Sequence, residues 1–167
     1  NDIITNLKSE EDKSVYDALN KAISFAKGKY IVILHSDDHF ESKNTLNNIY
    51  KKINELNSDV LFASATYFNK GHFHKPIRKY NSIHFKPELM KYGFMPPHTS
   101  MFAKRSIYSK VGTFNTKYKI AADVDWLLKM FHQKNLLISY VEDNVINMNT
   151  HGLSNPNLFN IYKKIQI

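Results

Sequence analysis

The sequence predicts an α/β domain with a mostly parallel sheet flanked by helices. Amphipathic helical segments alternate with short apolar segments along the first half of the chain, which is the order typical of such sheets. The segment Tyr30–Leu34 is apolar and β-branched without alternation, which indicates a strand covered on both faces. With 167 residues, 43% of them hydrophobic, the chain is long enough for one core. We therefore predict a single domain over residues 1–167.

The first half of the chain contains two predicted helices and a second strand. Residues 14–27 have apolar residues at helical spacing, with Ser14 as N-cap and Gly28 as the stop. Residues 42–57 form the second helix, and residues 59–68 the strand. The apolar stripe of the first helix is Val15, Ala18, Leu19, Ala22, Ile23 and Ala26, and that of the second is Leu46, Ile49, Tyr50, Ile53 and Leu56.

The second half is less regular. A hairpin is predicted to turn at residues 69–71, followed by a strand at 99–104 and a short helix that ends near Gly112. A further strand is predicted at 136–141, and the tail after Pro156 is interpreted as a terminal helix. Between these lies a predicted helix over residues 122–132, whose inward residues are Val124, Leu127, Leu128 and Phe131.

The charge of the chain favours anionic partners. Lys and Arg number 23 against 15 acidic residues, a formal net charge of +8. The absence of cysteine excludes disulfides and thiolate metal sites. No apolar run approaches the roughly 18 residues that a membrane-spanning helix needs.

Two adjacent aspartates, Asp37 and Asp38, follow the predicted strand Tyr30–Leu34. In α/β sheets ligands bind at the carboxyl ends of strands. One interpretation is a polar turn in which one aspartate caps the next helix. The other is a site for a divalent cation, since hard oxygen ligands suit Mg²⁺ or Mn²⁺ and a cation would relieve the repulsion between the two carboxylates.

Asp123 stands at the start of the helix predicted for residues 122–132. It is either an acid that stabilises the first turn or a general base held at a helix start. Asp125 points to another face and is interpreted as structural. The histidines are interpreted as solvated or surface side chains. The alternatives are that His35 and His39, which flank the aspartates, are ligands, and that His72 and His74, on one face of a hairpin strand, form a metal pair.

Several motifs in order resemble the family 2 glycosyltransferases, which have a GT-A fold. The segment "SEEDKSVYDALNKAISFAKGKYIVILHSDD", residues 9–38, is similar to the stretch that leads to the family's DXD-like motif. The segment "PHTSMFAKRSIYSKVGTFNTKYKIAADVDWLLKMF", residues 97–131, resembles the acceptor-side stretch, and "HGLS" resembles a signature that follows it.

This resemblance implies a role for each matching residue. Asp38 would bind the metal, Mn²⁺ or Mg²⁺, with His151, and Asp37 would contact the ribose or support the metal. Asp123 would be the catalytic base. The nucleotide-sugar pocket would include Asp12, Asp17, Asn20 and Lys21, and His98 would face the diphosphate or the acceptor. The nucleotide and metal part would span residues 1–68, the acceptor-side part 69–155 and the tail 156–167.

The resemblance also implies an N-terminal truncation, because the family's first two strands are missing. Tyr30–Leu34 would then be an open apolar edge, which is a template for pairing with another chain. We expect either a fragment of a longer enzyme or a homo-oligomer through this edge.

The implied activity is an inverting transfer from a UDP-sugar to a hydroxyl on a glycan or lipid-linked acceptor, in bacterial envelope polysaccharide synthesis. The basic surface suits the cytoplasm and the inner membrane face. Nucleic acid is not an expected partner. The alternatives are a non-catalytic basic module that binds an anionic polymer, and an inactive glycosyltransferase fragment.

Overall fold

The computed structural model describes residues 6–69 and 75–149, which divide into two compact units. The first unit comprises residues 6–31 and 104–134, and the second comprises residues 32–69, 75–103 and 135–149. The predicted turn at 69–71 beyond Asn69, the pair His72 and His74, His151 and the predicted terminal helix lie outside the described residues.

The first unit contains three helices and a short strand. They are α1 (Val15–Phe25), β1 (Tyr30–Ile31), α3 (Arg105–Val111) and α4 (Ala122–Phe131). The Ser14 hydroxyl caps α1 by accepting from the Asp17 backbone N–H at 3.1 Å, as predicted. The predicted stop at Gly28 is wrong, since α1 ends at Phe25 with Ala26 as its C-cap. Gly112 does end α3, with φ of 93°, a conformation that favours glycine.

An aromatic core holds the first unit together. Trp126 is 1% exposed, stacks on Tyr108 with ring centroids 4.5 Å apart, and donates its indole N–H to the Gly112 carbonyl at 2.8 Å. Phe114 joins Trp126 to Tyr16, at centroid distances of 5.9 and 5.8 Å. This cluster fixes which faces of α1 and α4 are buried.

The predicted inward faces of these two helices need correction. In α1 the buried residue is Tyr16, whereas Val15 and Ala22 are exposed. In α4 Leu127 is buried as predicted, but Leu128 is 42% exposed. Packing on the aromatic core buries an adjacent set of α4 side chains in place of Leu128: Ala122, Trp126 and Met130.

The second unit is built on a mixed sheet. Its elements are β2 (His39–Phe40), α2 (Thr45–Glu55), β3 (Val60–Phe68), β4 (Pro76–Tyr80), β5 (Met101–Lys104, whose last residue is in the first unit) and β6 (Ile138–Asn149), with 3-10 helices at Ser82–His84, Pro87–Tyr92 and His98–Ser100. Strand β3 is central: β6 lies parallel on one side, and β5 and β4 pair antiparallel on the other. Strand β2 pairs antiparallel with β6.

The α/β class of the prediction is confirmed, but the predicted mostly parallel order is wrong for the described strands. Strands β3 and β6 are parallel, whereas the pairs β2–β6, β3–β4 and β3–β5 are antiparallel. Strand β3 is nearly continuous in burial, as expected for a strand covered on both faces. The predicted strand at 30–34 is shorter, with Ile31 and Ile33 each 6% exposed and Leu34 42% exposed. Strand β6 extends from Ile138 to Asn149, well past the predicted end at 141, because β3 pairs with both of its ends in parallel, with register shifts on either side of Ser64.

Helix α2 buries a narrower face than its sequence predicts. Ile49 and Ile53 are 2% and 3% exposed, whereas Leu46, Tyr50 and Leu56 are about half exposed or more. Its start is organised by Thr45, whose hydroxyl accepts from the Ser42 N–H at 3.0 Å, and no aspartate caps it. No helix among the described residues combines the length and apolar character that crossing a membrane requires.

Candidate functional site

The adjacent aspartates lie on a tight turn in the second unit. The Asp38 N–H donates to the His35 carbonyl at 3.1 Å, which closes a four-residue turn. Directly after it, β2 pairs with β6 in the register His39 to Asn147, so the turn lies beside the carboxyl end of β6. Strand β3 ends at the same edge, with Phe68 opposite Asn149. The turn thus lies beside the carboxyl ends of β6 and β3, whereas the prediction placed it directly after a strand at residues 30–34, which in the structure ends at Ile31.

Asn149, the last residue of β6, attaches the turn to the sheet. Its side-chain amide donates to the Asp37 carbonyl at 3.0 Å, and its backbone N–H donates weakly to Asp38 Oδ1 at 3.4 Å. The other carboxylate oxygen, Asp38 Oδ2, is buried and has no hydrogen-bond partner among the described residues. The turn therefore buries one carboxylate oxygen, a hard ligand for metal ions, away from solvent.

Burial, and then the neighbouring charge of Asp37, raise the pKa of Asp38 from its ordinary 3.8 to about 6. The Asn149 hydrogen bond and the nearby His98 and His39 act in the opposite direction, toward a lower pKa. Without a bound cation, the ionised form of Asp38 is thus disfavoured in the folded chain.

This pKa predicts a pH-dependent effect of Asp38→Asn on stability. The folded pKa of about 6 lies above the ordinary 3.8, so Asp38 stabilises the fold most at low pH, and this contribution disappears as pH rises through 6. In the presence of a chelator, we expect Asp38→Asn to gain about 1 kcal/mol in unfolding free energy relative to wild type between pH 4.5 and 7.5, after reduction for solvent screening. Urea denaturation at the two pH values measures this difference.

Asp143→Asn is the matched control, since Asp143 is a partly exposed carboxylate of the same unit in an ion pair with Lys52 at 3.0 Å. The unfolding free energy of Asp143→Asn should not rise relative to that of wild type as the pH increases above 6. A pH-independent difference between wild type and Asp38→Asn would contradict the burial argument.

His98, predicted to face the diphosphate or acceptor, pairs with His35. Their Nε2 atoms are 2.9 Å apart, and the rings meet edge to face at a centroid distance of 5.2 Å. One nitrogen must donate and the other accept, so the contact holds at most one proton between the two rings. His98 is therefore a half-buried, oriented side chain and not the freely solvated one that its loop position suggests.

In the first unit, Asp123 lies in the first turn of α4, in agreement with the prediction. The Tyr16 hydroxyl donates to Asp123 Oδ1 at 3.1 Å. Burial, and then the charge of Asp123, raise the pKa of Tyr16 to about 12, so Tyr16 remains a donor at neutral pH. Asp125 instead pairs with Lys129 at 2.7 Å on the helix surface, as its structural interpretation predicts.

The four residues predicted for the nucleotide-sugar pocket also lie in the first unit, where three of them form one cluster. The Lys21 ammonium contacts Asp12 at 2.8 Å and Asp17 at 3.1 Å, and Glu10 completes the ring at 2.8 Å. Asn20 is separate from this cluster. Its side chain makes two hydrogen bonds with the backbone of Phe114, at 2.8 and 2.9 Å. In this structure both sets of contacts are structural. The carboxylates neutralise the charge of Lys21, and Asn20 fixes the loop after α3.

Sequence reasoning did not assign roles to Tyr16 and Asn149, and it interpreted His35 as a solvated side chain. Tyr16 belongs to the quoted "YDALNK" segment, which gave a usable signal. Asn149 ends a stretch of β6 that is mostly polar and carries no motif. Within residues 6–69 and 75–149, no three His, Asp or Glu side chains come together as a metal-binding group.

Solved structures share this fold. The chain superimposes on the S. aureus TarS 1-349 structure in complex with UDP with a TM-score of 0.60, at 20% identity over 78% of this chain and 38% of that one. For the TarS 1-349 structure in complex with UDP-GlcNAc the TM-score is 0.61, at 19% identity over 80% of this chain and 38% of that one. The fold is therefore that of the GT-A glycosyltransferases, as the sequence predicted.

Sequence comparison gives the family. The model of the family described as "Glycosyl transferase family 2" matches residues 2–112, and the chain belongs to this family. The "PGL/p-HBAD biosynthesis glycosyltransferase" proteins of Mycobacterium bovis and Mycobacterium tuberculosis are 26% identical over 153 residues, 87% of this chain. The chain spans 55% of the length of these curated relatives. The assignment to the glycosyltransferases, a class of enzymes, is confirmed.

Proposed function

We propose that this chain is the catalytic part of an inverting, metal-dependent glycosyltransferase that transfers a sugar from a UDP-sugar to a hydroxyl acceptor. Family membership supports sugar transfer, and the TarS structures of the same fold contain UDP and UDP-GlcNAc. The observation that carries the proposal is the Asp37–Asp38 turn, where a buried carboxylate oxygen lacks a partner beside the ends of β3 and β6.

The residues of this turn fit a divalent cation. Mg²⁺ in nucleotide sites is commonly held by one or two carboxylates together with the substrate phosphates, so a cluster of three acidic or histidine side chains is not required. Asp38 Oδ2 is the ligand of this type, and a cation there would offset both the burial and the repulsion from Asp37, which together raise the pKa of Asp38. His151 remains a proposed second ligand outside the described residues. When bound, the metal would neutralise charge on the departing diphosphate.

Asp123 is proposed to take the proton of the acceptor hydroxyl. The acceptor oxygen forms a bond to the anomeric carbon while the bond from that carbon to the diphosphate oxygen breaks, and the proton moves to the Asp123 carboxylate. A single displacement of this kind inverts the anomeric configuration. The Tyr16 hydroxyl, 3.1 Å from Asp123 Oδ1, fixes the orientation of the base.

The remaining roles follow from the family. Asp37 is proposed to contact the ribose, since it is exposed at the tip of the turn. His98 is proposed to approach the diphosphate, with His35 orienting its ring. Asp12, Asp17, Asn20 and Lys21 are proposed to border the nucleotide, and the ring of carboxylates around Lys21 makes their contribution one of shape more than of positive charge.

The setting is proposed from charge and from family. A net charge of +8 suits an enzyme in the cytoplasm at the inner membrane face, working on a lipid-linked or glycan acceptor of the cell envelope. Self-association through the edge at Tyr30–Leu34 is part of the same proposal.

The test is thermal unfolding with UDP, with Mn²⁺ and with both, for wild type and Asp38→Asn. We expect the pair of ligands to raise the midpoint of wild type by several degrees, since a ligand at about 100 times its Kd stabilises by about 2.7 kcal/mol. Neither ligand alone should do so, and Asp38→Asn should lose the effect. Asp143→Asn is again the control and should keep it.

A cooperative transition that the two ligands do not move would contradict the proposal. Binding of an anionic polymer that falls steeply with salt and ignores Asp38 would instead favour the basic binding module.

A further inference from the structure

Asn149, the last residue of β6, contacts the Asp37–Asp38 turn through both its backbone and its side chain. It pairs with Phe68 of β3 through the backbone, and it also hydrogen-bonds to Asp37 through its side chain and to Asp38 through its N–H. These contacts join positions 111 and 112 residues apart in the chain. They fix the side chain of Asn149 relative to the Asp38 carboxylate.

The orientation of the Asn149 amide follows from its partner. The Asp37 carbonyl can only accept a hydrogen bond, so the NH₂ group must be the end that faces it. The amide oxygen, Oδ1, then points away from that carbonyl. It is buried and has no hydrogen-bond partner among the described residues.

Two hard oxygens of neighbouring residues are therefore buried without partners, Asn149 Oδ1 and Asp38 Oδ2. Leaving a buried polar atom unpaired costs about 1–3 kcal/mol, so buried polar atoms in native proteins nearly always have a partner in the protein, in water or in a bound ion. When Asp38 is ionised, neither oxygen can satisfy the other, because a carboxylate oxygen and an amide oxygen only accept hydrogen bonds. A cation is the partner that satisfies both together.

We propose that Asn149 contributes Oδ1 as a second protein ligand, beside Asp38, for the divalent cation of the donor site. This inference rests on the proposed metal dependence and assigns a residue to it. Carbonyl oxygens, including that of an asparagine amide, are hard ligands that suit Mg²⁺, Ca²⁺ and Mn²⁺. Because the amide is neutral, its oxygen adds a metal ligand without placing a third negative charge next to Asp37 and Asp38.

The experiment measures the apparent Kd for Mn²⁺ from the thermal unfolding midpoint as Mn²⁺ is added at a fixed excess of UDP. Asn149→Ala removes Oδ1 and is expected to weaken Mn²⁺ binding by about 10-fold or more. Asn149→Asp keeps an oxygen at this position, adds a charge, and replaces the NH₂ group that bonds the Asp37 carbonyl. It is expected to bind Mn²⁺ at least as tightly as wild type.

Asn147→Ala is the matched control, because Asn147 lies on the same strand and its side chain contacts Asn144 and His39. It should leave the Kd for Mn²⁺ within about threefold of wild type, which is the scatter expected for a change that touches no ligand. The midpoint of each variant without Mn²⁺ and UDP shows separately how much the substitution affects folding.

The outcomes separate the two levels of the proposal. If Asn149→Asp weakens Mn²⁺ binding as much as Asn149→Ala does, Asn149 acts only through its NH₂ group and the ligand assignment is overturned. Unchanged binding in Asn149→Ala overturns it as well. If the wild-type chain shows no joint response to Mn²⁺ and UDP, the proposed metal dependence fails and this inference fails with it.

Discussion

Asp123→Asn is expected to lower kcat by about 10²- to 10⁴-fold, because a positioned general base, the role proposed for Asp123, contributes a factor of this size. Asparagine has nearly the same shape, and its amide oxygen can still accept the hydrogen bond from Tyr16. The substitution therefore removes proton acceptance and preserves the local structure. The measurement is UDP release from a panel of UDP-sugars, the proposed donor class, with Mn²⁺ and a panel of hydroxyl acceptors.

The control for this prediction is two residues away on the same helix. Asp125→Asn changes an aspartate of α4 that pairs with Lys129 on the surface, and it should leave kcat within about twofold, as expected for a surface substitution. Both variants should bind UDP with Mn²⁺ like wild type, so that the loss falls on kcat and not on KM for the donor. Equal losses in the two variants would assign the effect to the helix and not to the base.

Trp126→Ala is expected to destabilise the chain by about 3–5 kcal/mol, the range observed when a large buried aromatic residue is truncated. Trp126 is 1% exposed, it stacks on Tyr108, and its indole N–H satisfies the Gly112 carbonyl. The alanine variant leaves a cavity between α3 and α4 and removes the donor from that carbonyl. Urea unfolding, with the free energy extrapolated to water, measures the loss.

Two further variants test the contribution of the indole hydrogen bond and the burial of the neighbouring Leu128. Trp126→Phe keeps an aromatic ring against Tyr108 but loses the hydrogen bond, so we expect a loss of about 1–2 kcal/mol. Leu128→Ala, at a position that is 42% exposed, should cost less than about 1 kcal/mol. A larger loss for Leu128→Ala than for Trp126→Ala would mean that the inward face predicted from helical periodicity, and not the one in the structure, is correct.

The candidate site could be predicted in part because some of its signals are local. Asp38 follows an apolar segment as an adjacent pair of like charges, and Asp123 opens an amphipathic helix; both patterns are visible within about ten residues. The contacts that other candidate residues make within each unit are not local. Tyr16 and Asp123 are 107 positions apart, and His35 and His98 are 63 apart. No pattern in one segment contains information about a partner so distant in the chain.

The sequence by itself determined the α/β class, the N-cap at Ser14, the stop at Gly112 and the buried strand β3, because capping, glycine conformation and apolar runs act over a few residues. Only the tertiary structure decided which face of α2 and α4 is buried, how far β6 extends, and that Asn149 meets the acidic turn. Helical periodicity identifies an apolar stripe, but the width of the buried part depends on the surface against which the helix packs. A polar strand such as the end of β6 forms because β3 supplies its hydrogen bonds, and this partner is not adjacent in sequence.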